Sequence, residues 1–201
     1  MSKAILAAIP IKPFGVAKQR LSGRLDGATR SRLGKAVAAR TAEAATDAGA
    51  LVAVVTADAG VTSWARSRGY LTIDETLSPR PGLDGAAEAA VFEATRRQRG
   101  WAIIHADLPL VTPAALGMVF AQAVKSVVVV PAHDGGTNVI AGRGTAFRFA
   151  YGKGSFHRHL AGYPNARVMT HPLLAHYLDT VRDLTRATVD PAGRWLSGYL
   201  G

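Results

Sequence analysis

The sequence of 201 residues contains no cysteine. That excludes disulfides, thiolate metal sites and a cysteine nucleophile, and it fits the cytoplasm as the expected location. Long apolar runs are missing as well. None approaches the roughly 18 residues that a membrane span needs, so no membrane partner is expected. Met1-Ser2-Lys3 leads straight into a short strand-like run with no small-residue cleavage pattern, so no secretory signal is predicted. Two common nucleotide-binding loops are absent. There is no G-x-x-x-x-G-K-[ST], and no G-x-G-x-x-G follows the first apolar run, which argues against a P-loop NTPase and a nicotinamide-binding Rossmann unit. Aromatic residues make up only 7% of the chain and no RNA-binding motif is present, so no nucleic-acid partner is expected.

Acidic residues are also scarce. They number 14 against 24 Lys and Arg, giving a net charge of +10. The excess is concentrated. Between Lys12 and Arg40 there are eight basic residues and one acid, Asp26. A basic field favours anionic partners such as nucleotides and phosphorylated metabolites. Arg30, Arg32, Lys35 and Arg40 lie on an expected helix and read as a solvated face. Lys12, Lys18 and Arg20 lie in a loop, where lysine supplies point charge and arginine binds phosphate bidentately.

The pattern of apolar residues predicts an α/β chain. Short apolar runs at Ala4–Ile9, Leu51–Thr56, Tyr70–Ile73, Trp101–His105, Ser126–Val130, Thr137–Ala141 and Ala166–Met169 read as strands. Helical spacing over Asp26–Asp47, Val61–Arg68, Asp84–Gln98, Pro113–Lys125 and Thr180–Ala187 separates most of them. Thr112-Pro113 is an N-cap followed by proline at the first helical position. Leu77–Leu83 reads as a loop, and the tail from about 190 has no assigned place. Alternation through residue 130 implies a mainly parallel sheet, and the closing strands imply a mixed part. No linker divides the chain, so residues 1–201 are read as a single domain.

Several residues stand where chemistry is expected. Asp107 lies just past a strand, the place where open α/β sheets put ligands and metals; Asp-Leu-Pro is also a turn sequence, and position alone leaves the two readings even. In Asp134-Gly135-Gly136-Thr137 the aspartate reads as a turn residue, whereas Thr137 and the N–H groups around Gly136 offer contacts to an anion. Gly152-Lys153-Gly154-Ser155 opens a short helix, whose free N–H groups and serine hydroxyl suit a phosphate. Asp179 either caps a late helix or returns to the site beside Asp107. Two carboxylates with substrate phosphates completing the shell is the usual arrangement for Mg²⁺. His157 and His159, spaced i, i+2, do not face each other on a helix, and a zinc site ranks well below a basic loop.

Taken in order, K-P-x-x-x-A-K-x-R-L (Lys12–Leu21), G-L-x-x-A (Gly82–Ala86), A-D-L-P-L (Ala106–Leu110), D-G-G-T (Asp134–Thr137), Y-G-x-G-S-F (Tyr151–Phe156) and D-T-x-x-D-L (Asp179–Leu184) resemble the 2-phospholactate guanylyltransferase family, which also includes phosphoenolpyruvate guanylyltransferases of coenzyme F-420 biosynthesis. The resemblance implies a Rossmann-like, glycosyltransferase-A-like nucleotidyltransferase fold. It implies GTP, Mg²⁺ and a small phosphorylated carboxylic acid as ligands, with a homodimer as an expectation by analogy. Residue by residue, it implies GTP phosphate contacts at Lys12, Lys18 and Arg20, and nucleoside contacts around Gly82, Leu83 and Asp84. It further implies metal binding at Asp107 and Asp179, and acid contacts at Thr137, Gly152 and Ser155. Asp84 stands where the family usually has asparagine. An acid there accepts from guanine N1 and N2 or marks a different nucleotide. Tyr177 and Val181 replace the first acid and the proline of a late D-x-D-T-P. Two rival readings are another small-molecule nucleotidyltransferase of this fold, against which the missing L-x-x-G-G-x-S-x-R-M-G loop argues, and a basic nucleic-acid-binding protein.

Overall fold

The computed structural model describes residues 5–16 and 18–199. Ala4, the expected start of strand one, Ala17 of the basic motif and the last two residues of the tail lie outside the described residues. The strands are β1 (Ile5–Pro10), β2 (Leu51–Val55), β3 (Leu71–Ile73), β4 (Gly100–Ile104), β5 (Val128–Pro131), β6 (Thr137–Gly142) and β7 (Arg167–Val168). They form one sheet in the order β3-β2-β1-β4-β6-β5-β7. All neighbours are parallel except β6, which runs antiparallel to both β4 and β5. The helices are α1 (Gly27–Asp47), α2 (Ala59–Ser67), α3 (Gly82–Arg96), α4 (Pro113–Ala123), α5 (Ser155–Gly162), α6 (Pro172–Ala175) and α7 (Val181–Val189).

The central strands are apolar along their whole length because both faces are covered. One face packs Ala7, Ile9, Val54 and Ile104 against Ala38, Ala42 and Ala45 of α1 and Leu116 and Val119 of α4. The other packs Leu6, Ala8 and Ile103 against the alanine stripe of α3, Ala86, Ala87, Ala90 and Ala94, with Trp101, Phe147 and Phe149. Small side chains on α1 and α3 let the helices lie close to the sheet. α1 begins where Asp26 accepts from the Thr29 N–H at 2.7 Å, and α4 where Thr112 accepts from the Ala115 N–H at 3.3 Å, both N-caps.

A third apolar cluster positions the site. Leu21 and Leu25, just after the basic loop, meet Leu33 and Val37 of α1, Leu178, Leu184 of α7 and Leu196. It therefore holds the basic loop against the segment that carries Asp179. The tail expected to be unplaced is part of this cluster: it forms a 3-10 run, Pro191–Tyr199. The Trp195 indole N–H donates to Pro109 O at 3.1 Å, bracing the Asp107 loop from outside.

The expected loop over Leu77–Leu83 is shorter than its composition predicts. Pro81 is the N-cap of α3, so Gly82 and Leu83 lie in the first turn of a helix. Gly85 allows this. A Cβ there would stand 1.7 Å from Arg80 O, so only glycine lets the preceding chain cross the helix start so closely. Strand seven is only Arg167–Val168, and the short α6 was not signalled by periodicity.

Candidate active site

Sheet direction brings three chain segments to one edge. β1 and β4 are parallel neighbours, paired from Ile5↔Gly100 to Ala8↔Ile103, so the loops after them leave side by side. β6 runs the other way beside β4, so its first residues lie at the end of β4; His105 N–H donates to Asn138 O at 3.0 Å. Lys12, Lys18, Asp107 and Thr137, separated by long stretches of sequence, thereby face one cleft.

The cleft has two halves. One, of ≈ 530 Å³, is lined by Lys12, Phe14, Lys18, Gly82 and Leu83. The other, of ≈ 630 Å³, is lined by Asp84, Thr137, Tyr151, Gly152, Lys153 and Ser155. Leu83, His105, Asp107 and Asp179 line both and mark the junction. The Leu178 N–H donates to Asp107 O at 2.9 Å, which ties the segment carrying Asp179 to the one carrying Asp107.

The basic loop is engaged with those carboxylates. Lys18 Nζ lies 2.9 Å from Asp107 Oδ2 and also donates to the Leu178 carbonyl. Lys18 holds φ 58°, one of two non-glycine residues with positive φ among the described residues. Such a conformation costs a lysine about 1 kcal/mol and persists where surrounding contacts impose it. Arg20 Nη1 lies 2.7 Å from Asp179 Oδ2, and the Arg20 side chain is 73% exposed. Lys12 is exposed on the rim.

Burial pushes the Asp107 carboxyl up, but the Lys18 charge, the His105 ring and the Lys18 hydrogen bond outweigh it, and the group sits below the ordinary carboxylate range. Asp107 is an anion at neutral pH. Its second oxygen, Oδ1, is buried with no hydrogen-bond partner among the described residues, and His105 Nε2 and Tyr151 Oη share that condition. A buried, unpartnered carboxylate oxygen is costly unless something completes it. An anionic oxygen of this kind at the meeting point of both halves, with Asp179 beside it, fits a hard divalent cation. Among the described residues no group of three or more His, Asp or Glu could hold a metal ion, so ligand oxygens would have to fill the remaining positions.

Some of the amides expected to meet an anion already have partners. In the Asp134 turn, the Gly135 N–H donates to Ala132 O at 3.2 Å and the Gly136 N–H to Asp134 Oδ1 at 3.0 Å. At the start of α5, Ser155 N–H donates to Gly152 O at 3.0 Å and Phe156 N–H to Gly135 O at 3.2 Å. The Phe156 bond ties the two turns together, and the Gly135, Gly136 and Ser155 amides each close their own turn. The hydroxyls remain: Thr137 and Ser155 line the second half with Oγ atoms 3.1 Å apart. Gly154, at φ 68°, supplies the left-handed N-cap that brings Ser155 there.

Asp84 is placed differently from a group reading a base in the first half. It lines the second half, where Oδ1 accepts from the Tyr151 N–H at 2.8 Å and Oδ2 pairs with Arg80 Nη2 at 2.8 Å. Asp134 is a turn residue, as its sequence indicates, and its other oxygen accepts from Tyr177 Oη at 2.9 Å. Thr180 caps α7 with Asp183 closing a capping box, which leaves Asp179 outside the helix and facing the cleft. The sequence reading gives no site role to His105 or Tyr151 and considers His159 only as a metal ligand. His159 had a signal: it stands four residues after Ser155, on the same face of α5.

Solved structures share this architecture across nearly the whole chain. A putative nucleotide-diphospho-sugar transferase from Desulfovibrio desulfuricans superposes with a TM-score of 0.76 at 15% identity, covering 99% of this chain and 93% of that one. A CMP-2-keto-3-deoxy-manno-octonic acid synthetase in complex with CTP gives 0.61 at 13% identity, covering 94% and 98%. At such identities the likeness establishes the Rossmann-like fold. That fold, with the relatives below, makes the chain a nucleotidyltransferase. It belongs to the family described as guanylyl transferase CofC like, whose model matches residues 5–178. A phosphoenolpyruvate guanylyltransferase of Nocardia farcinica is 33% identical over 94% of this chain and 88% of its own length. A 2-phospho-L-lactate guanylyltransferase of Methanothermobacter thermautotrophicus is 32% identical over 77% and 69%.

Proposed function

We propose that this protein transfers the guanylyl group of GTP to the phosphate of a three-carbon phospho-acid, releasing pyrophosphate, as a step in making a deazaflavin coenzyme. The acceptor is phosphoenolpyruvate, 2-phospho-L-lactate or 3-phosphoglycerate, each with one phosphate and one carboxylate on a three-carbon frame. The observation that carries this reading is the junction: two half-clefts, one basic and one lined by hydroxyls, meet at Asp107 and Asp179. A donor nucleotide fits the first and a small acid the second, so that their phosphates come together over the carboxylates.

A phosphate oxygen of the acid attacks the α-phosphorus of GTP. The bond from that phosphorus to the bridging oxygen breaks, and pyrophosphate leaves with the electron pair. No general base is required, because a phosphate monoester has a second pKa of about 6 and is mostly dianionic near neutral pH. What the chain supplies is position and charge. Lys18 and Arg20, now on Asp107 and Asp179, are the cations within reach of the triphosphate, with Lys12 at the rim. Gly82 and Leu83 form the wall beside the nucleoside. Thr137, Gly152 and Ser155 seat the acid. Asp107 and Asp179 would hold Mg²⁺, which supplies charge neutralisation at the phosphates when bound.

Pyrophosphate release tests the proposal, with GTP or ATP paired in turn with each acid at millimolar Mg²⁺. Release with GTP and one acid is expected. Folded protein that releases none with any pair would refute it.

A further inference from the structure

His159 is fully buried on α5 and belongs to none of the roles above. Both of its ring nitrogens are engaged. The Ala150 N–H donates to Nε2 at 2.9 Å, and Nδ1 lies 3.0 Å from Thr137 Oγ1. A nitrogen that accepts from an amide carries no proton. Burial pushes the imidazole down to about 4 despite the opposing pull of Asp84, so the ring is neutral at working pH. The single ring proton is therefore on Nδ1, and it is donated to Thr137 Oγ1.

That donation has a consequence for the next pair. Thr137 and Ser155 are each 2% exposed, and their hydroxyl oxygens are 3.1 Å apart. Between them they hold two hydrogens. One bridges the pair. The Thr137 oxygen already receives the histidine proton, so the other hydrogen is left without an acceptor in the chain Ala150–His159–Thr137–Ser155. Both residues line the second half of the cleft, and the spare hydrogen is delivered there.

We infer that His159 is a positioning residue that fixes the Thr137–Ser155 pair as a hydrogen-bond donor to an anionic oxygen of the acceptor acid. The inference rests on the guanylyl-transfer reading for the identity of that acid, but the direction of the hydrogen-bond chain stands apart from it. A group that is acceptor-only, a phosphate or carboxylate oxygen, matches the spare donor.

Two substitutions separate this role from simple packing. Asparagine places its amide N–H near Nδ1, so His159→Asn keeps the donor to Thr137 and gives up the bond to Ala150. Glutamine reaches the Nε2 position, so His159→Gln keeps an acceptor for the Ala150 N–H and gives up the donor. His159→Gln is expected to raise KM for the acid about tenfold, the size of one lost hydrogen bond to a charged group, with KM for GTP and kcat changed less than about threefold. His159→Asn is expected to hold the acid KM within about threefold. The opposite ranking, or equal changes in both KM values and kcat, assigns His159 a packing role and overturns the inference. In wild-type protein, ¹⁵N–¹H correlation of the imidazole is expected to show the Nδ1–H tautomer. The Nε2–H tautomer overturns the inference whether or not any substrate turns over. Absence of turnover with the Nδ1–H tautomer in place instead strikes the proposed reaction alone. Titrating the ¹⁵N-labelled protein separately with inorganic phosphate and with pyruvate shows which end of the acid docks, by which one shifts the His159 ring signals; a shift by neither, nor by phosphoenolpyruvate at saturation, also overturns it.

Discussion

In the basic half of the cleft, Lys18 and Arg20 are held by the carboxylates Asp107 and Asp179. In the other half, Thr137 and Ser155 are held by a neutral, buried histidine and by each other. The first arrangement is made of opposite charges that a metal and a triphosphate would re-pair: cation to phosphate, carboxylate to metal. The second is made of neutral hydrogen bonds and already presents its donor. Binding in the first half therefore exchanges contacts already made, whereas binding in the second adds to them. Substitutions in the two halves should fail differently, and the junction should be less forgiving than either.

The largest effect belongs to Asp107→Asn. Asparagine is close to isosteric and still accepts from Lys18, so the fold should persist, but the anionic oxygen at the junction is gone. Turnover is expected to fall about a thousandfold or more, the scale seen when one preorganised electrostatic contact to a developing charge is lost, with Tm lowered by only a few degrees. Wild-type turnover at ordinary Mg²⁺ would remove Asp107 from the metal site and with it the contrast between the halves.

Comparing Lys18→Met with Arg20→Gln sharpens the picture within the basic half. The Lys18 side chain is 9% exposed and that of Arg20 is 73% exposed. Removing one partner of a pair shielded from water leaves the other charge uncompensated, whereas an exposed pair is worth about 0–1 kcal/mol. Asp107 still borders the open cleft, so the Lys18 pair lies between these limits, at about 2 kcal/mol. Lys18→Met should lower Tm by about 4–8 °C and raise KM for GTP more than tenfold. Arg20→Gln should change Tm by less than about 3 °C and KM by about threefold. Thermal denaturation and initial rates measure both, and a larger loss in Arg20→Gln would contradict this ordering.

Much of this site is visible along the chain, and what is hidden has identifiable causes. Asp107 stands out because an apolar run ends just before it, and Lys12, Lys18 and Arg20 because a loop carries them. The Lys18–Asp107 contact spans 89 residues and depends on β1 and β4 being parallel neighbours, which no local pattern encodes. The glycine turns read as turns, but which of their amides are engaged is not visible along the chain: the Phe156 N–H meets Gly135 O only because the two turns lie against each other. His159 stands two residues from His157, a spacing at which helical residues do not meet, whereas its informative partner is Ser155, one turn earlier. Gly82 and Leu83 looked like loop because prolines and glycine surround them, and Gly85 made a helix start possible there. In the tail, Ala192, Trp195, Leu196 and Tyr199 recur at helical spacing, but Pro191, Gly193 and Gly198 obscure it, and the segment winds as a 3-10 run anchored by Leu196 and Trp195.

The smallest expected effect tests where the nucleotide ends. Each Asp84 oxygen is already engaged: one accepts from the Tyr151 N–H and the other pairs with Arg80. Asp84 clips the start of α3 to the rim of the second half. Asparagine keeps one oxygen for Tyr151, and Arg80 keeps Glu88 at 2.6 Å. Asp84→Asn should therefore move Tm by no more than about 2 °C, as for a partly exposed pair, and leave the ratio of GTP to ATP turnover within about twofold. A tenfold shift in that ratio would mean that Asp84 contacts the base. The base would then enter the half lined by Thr137 and Ser155, and the assignment of one half to the nucleotide and the other to the acid would have to be reversed.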